Sequence, residues 1–260
     1  MKAGEPMTTP PIAIQVVDLL KEILKDKLEA IYLYGSAVRG GLKKDSDIDM
    51  FAVINSSLGN LERKLLIERL MAISGEIGNQ QGKRYLELTI STLDELKGNQ
   101  YPFFREFQYG EWLRDEFKKG YLSEKIADPD MTVLLAQLKQ SSVAILGNEA
   151  ESIIPNISKT QLNLAMQDSV QELIENLEGD ERNVLLTLAR ILATTETGEF
   201  MPKDKAGAYL LPLLNKSQQE TMNLAINGYL GKTNDNWGNR KASSIELLNF
   251  LSKKISENGN

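Results

Sequence analysis

The first half of the chain mixes helical and strand patterns of apolar residues. An amphipathic helix is predicted over residues 11–28, because apolar residues recur there at three- and four-residue spacing, at Ile14, Val17, Leu20, Ile23, Leu24 and Leu28. A second helix is predicted over residues 61–77. Continuous apolar segments at residues 30–34 and 48–54 predict two buried strands.

Residues 84–92 alternate between apolar and polar side chains. Leu86, Leu88 and Ile90 share one face of an extended chain, whereas Glu87 and its polar neighbours share the other. The pattern therefore predicts a half-buried strand with a carboxylate on its open face.

Beyond about Asp130 the strand signals stop. Helical patterns follow over residues 131–146, 161–177, 182–195, 217–230 and 243–255. The sequence PNISKT near Pro155 is the most plausible junction, although the helix at 131–146 fits either half. The predicted fold class is α+β, with an N-terminal domain over residues 1–156 built on a small mixed sheet and a C-terminal α-helical bundle over residues 157–260.

The segment YGSAVRGGLKKDSDIDM, residues 34–50, carries the densest candidate chemistry. On a strand, Asp47 and Asp49 point the same way, whereas Ile48 and Met50 point into the core. Adjacent carboxylates repel each other unless a cation binds both. An Asp-x-Asp sequence also occurs as a turn or a solvated strand edge, so a functional interpretation of the pair depends on the residues that precede it.

A glycine-rich turn precedes the two aspartates. Gly35 and Ser36 follow a strand and begin a predicted short helix, whose free backbone N–H groups favour a phosphate, and Gly40 and Gly41 permit the return loop. The spacing differs from that of a Walker A loop and of a dinucleotide fingerprint. Together the turn and the aspartates indicate a nucleotide triphosphate and metal site, as phosphoryl or nucleotidyl transfer requires.

Such a transferase needs a base for the attacking hydroxyl, and Glu87 is the candidate because its strand can pair beside the Asp-x-Asp strand. Glu87 could instead be a third metal ligand or an exposed strand glutamate. The chain has no histidine and no cysteine, so acid-base chemistry falls to Asp, Glu, Lys or Tyr, and the metal ligands are mainly oxygen atoms, which favours Mg²⁺ over Zn²⁺.

Charge and composition restrict the partners. A formal net charge of −6 argues against nucleic acid and suits a small cationic substrate, although it also serves solubility alone. No apolar run approaches the ~20 residues of a membrane span, and no secretory signal is visible. We therefore expect a cytoplasmic protein that binds neither nucleic acid nor membrane, and a monomer.

The motif GSAVRGGLKKDSDID resembles the signature of the nucleotidyltransferase superfamily that includes DNA polymerase beta. The segments FREFQYGEWLRDE, GDERNVLLTLARILATTETGEFMPKD and NGYLG resemble the aminoglycoside adenylyltransferases, and this similarity covers nearly the whole chain. The resemblance implies transfer of AMP from MgATP to an antibiotic hydroxyl, release of pyrophosphate, and a substrate cleft between the two domains. It assigns ATP phosphate to Ser36, Mg²⁺ to Asp47 and Asp49, and the role of catalytic base to Glu87.

The resemblance also assigns residues from the rest of the chain to the nucleotide, namely Asp130, Arg190, Lys203 and Tyr229. Each has an alternative: Asp130 could cap the helix that begins at Met131, Arg190 and Lys203 could be solvated charges, and Tyr229 could simply pack.

For the antibiotic, the resemblance assigns Trp112 and Asp180. An indole offers a broad apolar face to a fused-ring sugar, and a carboxylate offers a partner for a protonated amine. The alternatives are a core position for Trp112 and an N-cap role for Asp180.

The chain departs from relatives that act on both streptomycin and spectinomycin. Those relatives carry a tryptophan and an aspartate shortly before GDERN, where this chain has Gln171 and Asn176. Losing one charge-assisted contact costs about 1.5–3 kcal/mol, so the chain resembles the spectinomycin 9-adenylyltransferase branch, with an aminocyclitol antibiotic as substrate. The rival functions are transfer to another antibiotic, such as streptomycin or a lincosamide, and a non-catalytic nucleotide-binding or toxin-neutralising module.

Overall fold

The structure is a computed structural model that describes residues 9–39, 42, 46–79 and 82–258. Gly40 and Gly41, the predicted return loop, lie outside the described residues. The chain divides into two compact units, Met1–Ile157 and Ser158–Asn260, one residue beyond the predicted boundary.

The first unit mixes helices and strands. In chain order they are α1 (Pro11–Leu24), β1 (Leu28–Tyr34), β2 (Ile48–Ile54), α2 (Asn60–Ile73), β3 (Leu86–Thr92), α3 (Leu93–Gly98), β4 (Phe104–Arg105), β5 (Phe107–Tyr109), α4 (Arg114–Lys118), β6 (Ile126–Ala127), α5 (Pro129–Gln140), β7 (Val143–Leu146) and α6 (Ala150–Ile153). Short 3₁₀ turns at Gly35–Ala37 and Glu111–Leu113 follow β1 and β5.

The main sheet has five strands in the order β5-β3-β2-β1-β7. β2 and β3 are parallel, and the other neighbouring strands are antiparallel. The prediction of a small mixed sheet is therefore confirmed. The strands β4 and β6 form a separate two-stranded sheet.

The main sheet is buried on both faces, which explains why its central strands are almost continuously apolar. One face, with Leu33, Met50 and Leu88, packs on α1 and α2. The other face, with Tyr32 and Phe51, packs on α5. Ile48 and Met50 are fully buried as predicted.

The prediction of a helix over residues 131–146 is wrong at its end. Helix α5 stops at Gln140, and Val143–Leu146 form β7, which pairs antiparallel with β1. Without β7, β1 would present a row of unpaired backbone groups at the edge of the sheet. That long-range pairing outweighs the local helical pattern, and it places the whole segment in the first unit.

The predicted helices over residues 11–28 and 61–77 are both too long. α1 ends at Leu24 because Lys25 adopts a positive φ of 49°, and α2 ends at Ile73 because Ser74 is extended. The alternation in β3 is confirmed on its apolar face, but Thr89 and Ser91 on the opposite face are also buried. The predicted open face is therefore confined to the start of β3, where Glu87 lies.

The second unit is helical. It contains α7 (Lys159–Glu175), α8 (Glu181–Thr197), α9 (Lys203–Leu210), α10 (Lys216–Tyr229) and α11 (Lys241–Asn258). α8 contacts the other four helices and is the most buried of them. The sequence did not predict α9, whose eight residues are too few for a clear apolar period. No helix in the described part of the chain has the length and apolar composition that a membrane span needs.

Candidate active site

The acidic residues of the motif meet a third carboxylate across the parallel strand pair. Asp49 in β2 lies opposite Glu87 in β3, and Asp47 comes just before β2. One carboxylate oxygen from each of the three residues lies within 4.8 Å of the others, and all three side chains are half-buried. The predicted proximity of Glu87 to the Asp-x-Asp strand is therefore present.

The donor set of this acidic cluster (Asp47, Asp49 and Glu87) suits a hard divalent cation. Three carboxylate oxygens converge from two strands, and the buried neighbours Ile48 and Met50 fix the direction of the aspartates. Carboxylate oxygens are the ligands that Mg²⁺ uses in proteins, and a bound cation relieves the mutual repulsion of the carboxylates.

The Gly35–Ala37 turn lies directly against the acidic cluster. Gly35 has a φ of +67°, and a Cβ atom at this position would overlap Oδ2 of Asp49 and lie 2.8 Å from its Cγ. The carboxylate thus occupies space that only glycine leaves free. The predicted short helix is a single 3₁₀ turn, so the helix dipole contributes little here, and Ser36 is instead placed by the close approach of its neighbour to Asp49.

Arg39 links this turn to another element, which the sequence did not predict. Its guanidinium donates to Oγ of Ser141 and, at 2.6 Å, to Oε1 of Gln140, both at the end of α5. A lone arginine after a glycine-serine turn gives no sequence signal for a partner about a hundred residues away.

We expect Gly35→Ala to lower the rate of the transfer reaction that the sequence predicts by about tenfold to a hundredfold, because the new Cβ displaces the Asp49 carboxylate. The left-handed φ adds a destabilisation of about 1–2 kcal/mol. Gly78→Ala is the matched control, since Gly78 has a φ of +78° with nothing within 4 Å. Thermal unfolding should show a stability loss in both variants, larger for Gly35→Ala because of the added overlap, and steady-state rates should show a loss only at Gly35. Equal rates in the two variants would contradict the proposed close packing.

Trp112 lies on the Glu111–Leu113 turn after β5, and its side chain is 51% exposed. The alternative of a core position is therefore wrong. The indole lies over Gly110, where a Cβ atom would come within 2.6 Å of Cζ2 of the ring.

Asp130 is exposed and does not cap α5. The helix begins one residue before Asp130, at Pro129, and the Asp128 carboxylate accepts the Asp130 N–H at 2.9 Å. The capping alternative for Asp130 is therefore wrong. Burial raises the pKa of Asp128, and the ion pair with Arg105 opposes that shift.

The remaining predicted nucleotide residues lie in the second unit, on three helices that pack on one another. Arg190 is in the middle of α8, Lys203 begins α9 and Tyr229 ends α10, and all three are half-buried. Their contact with a nucleotide stays a prediction.

Asp180 precedes α8 and is exposed, and its carboxylate accepts a hydrogen bond from Nδ2 of Asn183 at 2.8 Å. It occupies the N-cap position without making a side-chain capping bond to the backbone. Gln171 and Asn176 are exposed at the end of α7 and make hydrogen bonds within that helix turn.

Two family models match separate parts of the chain. The family model described as polymerase beta nucleotidyltransferase matches residues 18–97. The family model described as the C-terminal domain of aminoglycoside adenylyltransferase matches residues 152–254.

The chain is 42% identical over 246 residues to spectinomycin 9-adenylyltransferase from Staphylococcus aureus, covering 95% of each chain. It is 33% identical over 245 residues to aminoglycoside (3'') (9) adenylyltransferase from Escherichia coli, covering 94% of this chain and 93% of that protein. Among solved structures, it is similar to the spectinomycin adenyltransferase AAD(9) from Enterococcus, crystallised with ATP and spectinomycin. The TM-score is 0.91 and the identity 34%, over 96% of this chain and 100% of the other.

Proposed function

Because this chain belongs to the aminoglycoside adenylyltransferase family, we propose that it transfers AMP from ATP to a hydroxyl group of spectinomycin and releases pyrophosphate. The observation that carries the proposal is the acidic cluster, which joins β2 and β3 within a fold that matches a complex with ATP and spectinomycin over 96% of this chain.

In the proposed reaction, the antibiotic hydroxyl oxygen bonds to the α-phosphorus of ATP while the bond to the pyrophosphate oxygen breaks. Glu87 takes the hydroxyl proton, and Asp47 and Asp49 would hold Mg²⁺. When bound, Mg²⁺ neutralises the phosphate charge and stabilises the charge that develops during transfer. The half-buried position of Glu87 suits a base that is reached by substrate but partly withdrawn from water.

The closeness of Glu87 to the two aspartates also fits a third metal ligand. The two roles differ in one observable, because a base contributes to the chemical step whereas a ligand also contributes to MgATP affinity. The distinction therefore rests on binding measurements as well as rates.

We propose further contacts for the two substrates. Ser36 binds ATP phosphate, and Asp130, Arg190, Lys203 and Tyr229 complete the nucleotide site. Trp112 offers its exposed indole face to the fused rings of the drug, and Asp180 offers an exposed carboxylate to a protonated amine.

The proposed acceptor is spectinomycin rather than streptomycin. Gln171 and Asn176 provide neither an aromatic platform nor an anion for a guanidinium group. The missing contact corresponds to a loss of roughly tenfold to a hundredfold in streptomycin affinity.

We expect purified protein with MgATP to release pyrophosphate with spectinomycin and not with streptomycin or a lincosamide. Parallel assays with the three drugs decide the acceptor, and a reaction without drug gives the background hydrolysis. Streptomycin turnover at comparable efficiency would contradict the proposed selectivity. Pyrophosphate release with a lincosamide alone would support the reaction class but change the acceptor. No pyrophosphate release with any of the three drugs would contradict the proposed activity.

A further inference from the structure

The exposed Trp112 lies between two charged residues whose side chains point inward. Glu111 is only 6% exposed. Its Oε1 accepts hydrogen bonds from Oη of Tyr109 at 2.5 Å and Nη2 of Arg114 at 2.9 Å, and its Oε2 accepts from Nε of Arg114 at 2.5 Å. The backbone on both sides of Trp112 is therefore anchored by a two-point ion pair.

Arg114 extends this anchor to the end of α2. Its Nη2 also donates to the carbonyl oxygens of Met71 at 2.9 Å and Ser74 at 3.3 Å. Burial disfavours the charged form of Glu111, but hydrogen bonds from Arg114, Ser74 and Tyr109 outweigh it and lower the pKa of Glu111. Glu111 is thus a carboxylate at neutral pH, with each oxygen used.

Ser74 connects the same anchor to the strand that carries Glu87. Its backbone carbonyl accepts the Arg114 bond at 3.3 Å, and its hydroxyl accepts the backbone N–H of Leu86 at 3.0 Å. Leu86 is the first residue of β3 and the neighbour of Glu87. One buried network (Ser74, Tyr109, Glu111 and Arg114) therefore touches both the Trp112 turn and the start of β3.

We propose that Glu111 is a positioning residue that fixes the indole of Trp112 relative to Glu87, so that the drug is held where its hydroxyl meets the base. This proposal rests on the proposed function. The Trp112 turn is only three residues long, so it has little regular structure of its own to hold a half-exposed ring. Loss of the Glu111 carboxylate keeps the indole of Trp112 in the chain but removes the contacts that fix the orientation of the ring.

The chain supplies a matched control for a purely structural role. Glu106 is fully buried and forms an ion pair with Arg63. It also accepts a hydrogen bond from the N–H of Leu58 at 2.8 Å. Glu106→Gln and Glu111→Gln each remove one buried negative charge beside an arginine within the same unit. We expect both variants to lower the melting temperature.

Steady-state kinetics separates the two roles. We expect Glu111→Gln to raise KM for spectinomycin about tenfold with little change in KM for MgATP, and Glu106→Gln to leave both values at the parent level. Equal KM values for spectinomycin in the two variants would overturn the proposal.

A second readout does not require turnover. Trp112 and Trp237 are the only tryptophans of the sequence, so Trp237→Phe leaves Trp112 as the single tryptophan, which can be excited selectively over tyrosine. In that background, we expect Glu111→Gln to lower the fluorescence anisotropy of Trp112 and raise its quenching by acrylamide, and Glu106→Gln to change neither. If the parent protein does not modify spectinomycin, the proposed function is wrong, whatever the role of Glu111. The fluorescence then still decides whether Glu111 positions Trp112, and unchanged fluorescence would overturn that role.

Discussion

Glu87→Gln should reduce AMP transfer by about 10²–10⁴-fold, the usual contribution of a positioned base, while MgATP and spectinomycin still bind. Glutamine has nearly the same shape as glutamate but cannot accept the hydroxyl proton. Because Glu87 is half-buried at the start of β3, the replacement leaves the strand pairing with β2 intact. The loss should therefore appear in kcat and in single-turnover rates.

Glu95→Gln is the matched control for this experiment. Glu95 follows β3, its side chain is 25% exposed, and it pairs with Lys125 rather than with the acidic cluster. Its variant should keep the parent rate. Calorimetric titration with MgATP separates the two roles of Glu87, because a large loss of MgATP affinity in Glu87→Gln would identify a metal ligand instead of a base. Parent turnover in Glu87→Gln would show that another group accepts the proton.

Asp47→Asn should impair both MgATP binding and chemistry. The metal is expected to supply several kcal/mol of transition-state stabilisation, so the loss of one ligand should lower turnover by about 10²–10⁴-fold. A neutral amide also attracts the cation less than a carboxylate does. Raising the Mg²⁺ concentration should recover part of the activity of this variant, whereas it should not help Glu87→Gln.

The control for Asp47→Asn is Asp18→Asn, because Asp18 is an exposed residue of α1 outside the acidic cluster. Titration of Mg²⁺ at fixed ATP, followed by pyrophosphate release, measures the effect. If Asp47→Asn keeps both the Mg²⁺ dependence and the turnover of the parent protein, Asp47 is not a metal ligand.

The sequence predicted the central part of the sheet well. β2 has the predicted bounds, residues 48–54, because a continuous apolar segment that is buried on both faces is a strong local signal. Asp47 and Asp49 are easy to recognise in the sequence because they lie beside and within this apolar segment. Local patterns thus sufficed to find two members of the acidic cluster.

Long-range pairing limited the rest of the prediction. Val143–Leu146 fit a helical pattern locally, and only the open edge of β1 makes them a strand. The partner of Asp49 also depends on pairing, because the sequence suggested that Glu87 could lie nearby but not that β3 runs parallel to β2 in a register that sets the two residues opposite each other. The burial of Thr89 and Ser91 depends on neighbouring elements in the same way.

The sequence contained the signal for the N-cap of α5, but the cap was predicted at the wrong residue. Pro129 is a favoured first residue of a helix, which moves the cap to Asp128 and leaves Asp130 exposed. The buried network around Glu111 carried only a weak sequence signal, a glutamate and an arginine three residues apart after a tyrosine. Neither residue type is usually buried, so burial could not be inferred before the structure.

The register between the parallel strands β2 and β3 determines where the chain tolerates changes in length. The connection from α2 to β3 can gain or lose residues while β3 keeps its alignment with β2, because Asp49 and Glu87 belong to the strands and not to the connection. Deletion of a single residue of β3 after Glu87 would instead shift Glu87 by one position and turn its side chain to the opposite face of the sheet. Natural variation in this enzyme family should therefore place insertions between α2 and β3 and spare the interior of β3.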